Sequence, residues 1–160
     1  MKILNTWLAY FKKLAYEEKS PHKLALSFCM GAFIAFSPFP GLHTIMIFAF
    51  SVLFGLNLSV TFAAAYGINN PITLIPVYAA DYGLGYWLLH KLLALDVAAI
   101  NPWWMQTCSM YFEQKLGLPL PCIWSFLIGG NILGIVIALV LYPITKQLFS
   151  YCKSTETGTI

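Results

Sequence analysis

The chain has 160 residues, 59% of them hydrophobic and only 9% charged, with a formal net charge of +3. A soluble domain carries about 25% charged residues, so these few charges cannot cover a water-facing surface, and the composition points to the bilayer as the main solvent. The length fits one domain, and the lysines gather at Lys2, Lys12, Lys13, Lys19 and Lys23, ahead of the first apolar run. A basic groove with interleaved aromatics is missing, which excludes nucleic acid as the expected partner and favours an anionic leaflet.

Residues Ile3, Leu4, Trp7, Leu8, Phe11, Leu14 and Ala15 recur at helical spacing with lysines on other faces. This predicts an amphipathic helix over residues 1–20, lying in the interface plane; an ordinary packing helix is the alternative. Ser20-Pro21 is expected to end it.

From Leu24 to Phe54 the only ionisable side chains are His43 and Cys29, and Ser37-Pro38-Phe39-Pro40-Gly41 interrupts the run. About 31 residues of helix would measure roughly 46 Å against a hydrocarbon core of about 30 Å. Each half reaches only some 20 Å, which suits a re-entrant hairpin; a single kinked, tilted span is the competing arrangement. No cleavage site follows the run, so a removable signal peptide is not expected. The stretch Leu58 to Leu89 repeats the pattern, broken at Asn69-Asn70-Pro71, and its longer second half carries Pro76 and Asp81. Two consecutive hydrophobic segments broken at corresponding positions mark the binding site in transporters built from repeats.

After a short connection, Asn101-Pro102-Trp103-Trp104 opens a second aromatic-rich amphipathic pattern, which Leu118-Pro119-Leu120-Pro121 stops. Aromatic density of this kind belongs at headgroup depth. Cys122 to Tyr142 is uncharged for about 21 residues, the length of one transmembrane helix, with Pro143 and Lys146 marking its exit. Gly130 and Gly134 supply a small-xxx-small face for close helix packing. The sequence therefore predicts an all-α integral membrane protein with two broken or re-entrant hydrophobic segments, one further transmembrane helix and two interfacial amphipathic helices. Its divisions are the helix over 1–20, a single membrane domain over 21–148 and a mobile polar tail over 149–160. The N-terminal lysines place that end in the cytoplasm of a bacterial inner membrane by the positive-inside rule.

Broken backbone at membrane depth persists only where protein or a water-filled cavity satisfies it. Ser37, Pro38, Gly41, His43 and Thr44 at the first break, and Asn69, Asn70, Pro71 and Thr73 at the second, are the candidate substrate-binding residues. Free amides at the helix start near Gly41 suit an anion. The structural alternative makes each break a packing kink whose side chains satisfy the backbone. Asp81 joins the site as an ionisable group inside an apolar run, on the same helical face as Asn70 if Pro76 kinks the helix only slightly; capping a helix is its alternative role. For His43 the alternative is a neutral ring bonded to backbone.

Cys29, Cys108, Cys122 and Cys152 lack the close spacing of zinc or redox motifs and are read as structural. His22, His43 and His90 have no metal-ligand spacing, and no phosphate loop or nucleophile elbow is present. No catalytic residue, metal or cofactor is expected.

The run Gly31-Ala32-Phe33-Ile34-Ala35-Phe36-Ser37-Pro38-Phe39-Pro40-Gly41-Leu42-His43-Thr44, followed by Asn70-Pro71-Ile72-Thr73 and Tyr82-Gly83-Leu84-Gly85, resembles the bacterial membrane family called domain of unknown function 2062, over roughly residues 20 to 145. The resemblance implies no established activity or catalytic residue. Members joined to glycosyltransferases imply, by association, work near lipid-linked sugars. The function expected is a small membrane transporter or lipid-carrier translocase binding an anionic group at a polar midplane site between two broken helices. The alternative is a non-catalytic scaffold or partner subunit for an enzyme of envelope or lipid-linked-sugar synthesis. Membrane lipid is the expected partner, with such an enzyme or a second copy of the chain left open.

Overall fold

Ser20 and Pro21 start a helix. The Ser20 hydroxyl accepts from Lys23 N–H at 3.4 Å, and Pro21 occupies the first turn, where its missing N–H costs nothing and its fixed φ suits the helix. The structure, a computed structural model, describes residues 20–39, 41–94, 102–103 and 123–157, the last three by backbone alone. The two interfacial helices expected over 1–20 and after Asn101 lie outside these residues. Among the described residues every regular element is helical: α1 (Pro21–Ala35), α2 (His43–Leu53), α3 (Leu58–Ile68), α4 (Leu74–Tyr86) continuing as a π-helical stretch (Trp87–Leu92), and α5 (Ile123–Thr157).

α1 stops at Phe36, and Ser37 N–H closes a last turn on Ile34 O at 2.9 Å. Gly41 has φ +89°, a left-handed conformation that glycine adopts without penalty, and the chain reverses into α2. Ile34, Ile47 and Ala65 form a buried cluster, with Met30, Met46 and Phe50 packed against it, so α2 folds back along α1 as a hairpin. α2 ends in a Schellman turn: Leu56 N–H reaches Ser51 O at 2.8 Å and Gly55 N–H reaches Val52 O at 3.4 Å, with Gly55 at φ +60°. This arrangement satisfies carbonyls that a helix end leaves open.

Asn57 then locks the return. Its N–H donates to the Ser27 hydroxyl at 2.8 Å, and its side-chain oxygen caps α3 through Val60 N–H at 3.1 Å. α3 runs parallel to α1, because Ser27 meets Asn57, Gly31 abuts the backbone of Thr61 and Ala65, and Ala35 O accepts from Asn69. No side chain fits between the two helices at Gly31.

α4 carries on past the second break in the same sense. Gly85 abuts the Ser125 backbone, Gly129 abuts Asp81 O, and Leu89 packs with Trp124 and Ile128, which makes α4 and α5 antiparallel. α1 is also antiparallel to α5: Gly130 and Gly134 face Phe36 and Phe33, while His22 meets Tyr142 and Cys29 meets Thr145. The second segment is thus a broken helix that keeps its direction along α5, and the first is a hairpin that stops partway.

α5 does not end at Pro143 but continues to Thr157, through most of the stretch expected as a polar tail. Pro143 removes only the helical bond to the carbonyl four residues before it, that of Leu139, and the chain stays helical on both sides. Ile123–Ser154 is long and apolar enough to cross a membrane. Large apolar side chains on this helix and on others face outward: Leu139 is 69% exposed, Val52 80% and Ile72, in the turn before α4, 87%.

Candidate functional site at the junction of the two breaks

The two breaks touch. Asn69, just past the end of α3, donates from Nδ2 to Ala35 O, the last carbonyl of α1, at 2.9 Å. This leaves Asn69 Oδ1 buried without a hydrogen-bond partner. Because Ala35, Phe36 and Val77 cluster with Tyr78 and Leu133 packed on them, the first turns of α4 and the middle of α5 close the same junction.

Asp81 belongs to it. Its side chain is 0% exposed, and neither carboxyl oxygen has a hydrogen-bond partner. One point fixes its neighbours: a Cβ on Gly130 would stand 2.5 Å from Phe36 O, 3.3 Å from Pro38 Cδ and 3.4 Å from Asp81 Cγ. The carboxyl group, the carbonyl end of α1 and the first break therefore meet where α5 has no side chain. Asp81 is the one acid among the residues whose side chains are described. It caps no helix, since it lies within α4.

The remaining candidates divide between this junction and local capping. Ser37 is buried at 1% exposure; its hydroxyl faces Met46 Sδ at 3.6 Å, and its carbonyl is 3.2 Å from His43 Nε2. His43 thus takes the backbone-bonded role. Thr44 is exposed and pairs with the Tyr66 hydroxyl at 2.7 Å, and Gly41 and Pro71 are exposed. Asn70 is wholly committed to its own turn. Its Oδ1 accepts from Ile72 N–H at 2.9 Å and Thr73 N–H at 3.1 Å, and its Nδ2 donates to Gly67 O at 3.0 Å. Thr73 Oγ1 donates to Ile68 O and accepts from Asn70 N–H at 3.0 Å. The second break is in this sense the packing kink of the structural alternative.

Two expectations about α4 change. The helix begins at Leu74, so Pro76 lies in its first turn, where a proline removes no helical bond. The eleven residues from Asn70 to Asp81 are then not one continuous helix, and it is Asn69, through Ala35, that joins the junction holding Asp81. Sequence reasoning also missed Tyr78, whose hydroxyl is buried without a partner. Its position three residues before Asp81, hence on the same helical face, was the available signal. Gly85 and Gly129, which let the α4 and α5 backbones touch beside Asp81, were overlooked beside Gly130.

Together the described residues form an all-helical arrangement in which one helix is long and apolar enough to cross a membrane and two broken segments meet around an unpartnered carboxyl group. The chain belongs to a family of uncharacterised proteins conserved in bacteria, DUF2062, which it matches over residues 4–157. No curated protein and no solved structure is similar to it.

Proposed function

We propose that the chain is a small transporter or lipid-carrier translocase of the bacterial inner membrane, with its site at the junction of the two breaks. The membrane reading rests on α5, together with the outward-facing Val52, Ile72, Ile75 and Leu139. In this reading the α1–α2 hairpin is re-entrant, α3 and α4 form one broken crossing, and α5 returns. Two crossings put both ends on one side, and the N-terminal lysines make that side cytoplasmic.

The observation that carries the proposal is Asp81, fully buried with both oxygens unpartnered. A buried polar group without a partner costs several kcal/mol in an apolar medium (about 2–7), so ligand exchange is a reason for its presence. An anionic cargo would find its donors at the opening turn of α2, around Gly41 to Thr44, because Asn70 already occupies the amides at the second break. A scaffold role loses its clearest surface, since Gly130 and Gly134 face Phe36 and Phe33 of the same chain.

The test is reconstitution into liposomes with a panel of anionic lipids and small anions. We expect protein-dependent flux that falls in Asp81→Asn and Asn69→Ala while membrane insertion stays normal. Absence of flux, with an enzyme co-purifying in stoichiometric amount, would replace the transporter by the scaffold.

A further inference from the structure

We propose that the junction binds a monovalent cation, a proton or sodium ion, on Asp81, and that this cation is the coupling ion of the transport reading above, on which the coupling role rests. The polar groups that meet at the hollow are oxygens. Phe36 O and the Asp81 carboxyl group share the hollow left by Gly130. Near it in the chain fold, Asn69 Oδ1, on the amide that bonds Ala35 O, and the Tyr78 hydroxyl, three residues before Asp81 in α4, are also buried without partners. The α1 end contributes the negative pole of its dipole, and α3, parallel to α1, ends at the same level.

The opposing positive poles are muted. At the start of α4, the Ile72, Thr73 and Leu74 amides are bonded to Asn70, and Pro76 has no N–H. The start of α2 opens on exposed Gly41 and Leu42. The hollow at Asp81 therefore offers acceptors and negative poles that fit a cation, while the anionic cargo of the transport reading is left the opening turn of α2 beside it.

Charge and ligand count set the class. A divalent ion such as calcium takes six to eight oxygens, commonly from several carboxylates. Asp81 stands alone as an acid among the residues whose side chains are described, and among the described residues no group of three His, Cys, Asp or Glu side chains forms. One carboxylate balances one positive charge. Among the described residues no basic side chain is seen to face it: α5 presents Ser125, Phe126, Gly129 and Gly130 to α4. On α4 itself the nearby titratable groups are Tyr78 and Tyr82. At the first break His43 is turned to Ser37 O, and in α1 Cys29 is turned to Thr145.

Binding can be measured without transport. The purified chain in detergent is titrated with sodium chloride against choline chloride, and separately with pH, while thermal unfolding is followed. The infrared band of a protonated carboxyl group is recorded on the same samples. A ligand that binds only the folded chain raises its unfolding temperature. If sodium is the ion, wild type is stabilised by sodium over choline, and Asp81→Asn loses that response while Asp81→Glu keeps part of it. If the proton is the ion, sodium has no specific effect and a buried carboxylic-acid band, absent from Asp81→Asn, titrates in wild type. Should Asp81→Asn fail to fold, the sodium response and the infrared titration of wild type and Asp81→Glu still decide. Absence of both the sodium response and the titrating buried band would overturn the cation site. Flux without either signal would overturn this inference and leave the transporter standing, whereas binding without flux would do the opposite.

Discussion

Asn69 and Asn70 are neighbours in the chain and do different work. Asn70 uses its side chain to close the turn between α3 and α4. Its replacement by alanine leaves several backbone groups open, at about 1–3 kcal/mol for each that stays buried. Asn70→Ala should therefore unfold at lower temperature while the folded fraction keeps wild-type flux. Asn69→Ala removes the bond that ties Ala35 O to the second break and also an acceptor of the junction. Here both stability and flux per folded molecule should fall. Equal flux losses in the two variants would show that the junction does not distinguish them.

At the scale of elements, glycines set which helices touch. In Gly85→Ala and Gly129→Ala the new methyl would meet the backbone of Ser125 or of Asp81, which cannot move aside as a flexible side chain would. Overpacking of this kind costs about 1–3 kcal/mol or more. Gly67 and Gly83, also helical, have open space at the same position, so alanine there should stabilise by roughly 0.5–1 kcal/mol through reduced chain entropy. Thermal unfolding in detergent separates the two pairs, and destabilisation of all four alike would refute the packing. Gly130→Leu and Gly134→Leu should destabilise the single chain at any protein concentration, whereas outward-facing Val140→Leu should not. The breaks were legible because proline and left-handed glycine leave marks in sequence. The junction was not, because it depends on a register between α1 and α3 set by Asn57 on Ser27 and Asn69 on Ala35, contacts about thirty residues apart that no local pattern encodes. Pro76 misled for a related reason: its effect depends on where the helix starts, and Asn70 fixes that point.

For the whole molecule, the membrane reading divides the surface into two kinds. In a background lacking the four native cysteines, single cysteines at Val52, Ile72 and Leu139 should carry fluorophores that brominated lipid quenches, because these positions face outward from the fold. A cysteine at Pro38, beside the hollow of Gly130, should be labelled by a small polar thiol reagent and be protected from lipid quenching. Quenching at Pro38 equal to that at Leu139 would put the first break in contact with lipid and remove the junction from consideration as a site. In that reading both the hairpin and the broken crossing follow from one constraint: irregular backbone has to face protein or water at that depth.

Gly130 lies nearer to one end of the apolar part of α5 than to the other, about 10 Å along the helix from Ile123 and about 18 Å from Tyr142. Distance across an insulating layer is also electrical distance. A cation reaching Asp81 from the Ile123 end would cross about a third of the membrane voltage, and one arriving from the Tyr142 end about two thirds, at about 2.3 kcal/mol per charge for each full 100 mV. Its apparent affinity should change about fourfold per 100 mV in the first case and more than tenfold in the second. Proteoliposomes held at set potentials by a potassium gradient and valinomycin can measure this. The slope would then reveal which face of the bilayer the ion enters from, and a slope of zero would place Asp81 outside the field altogether.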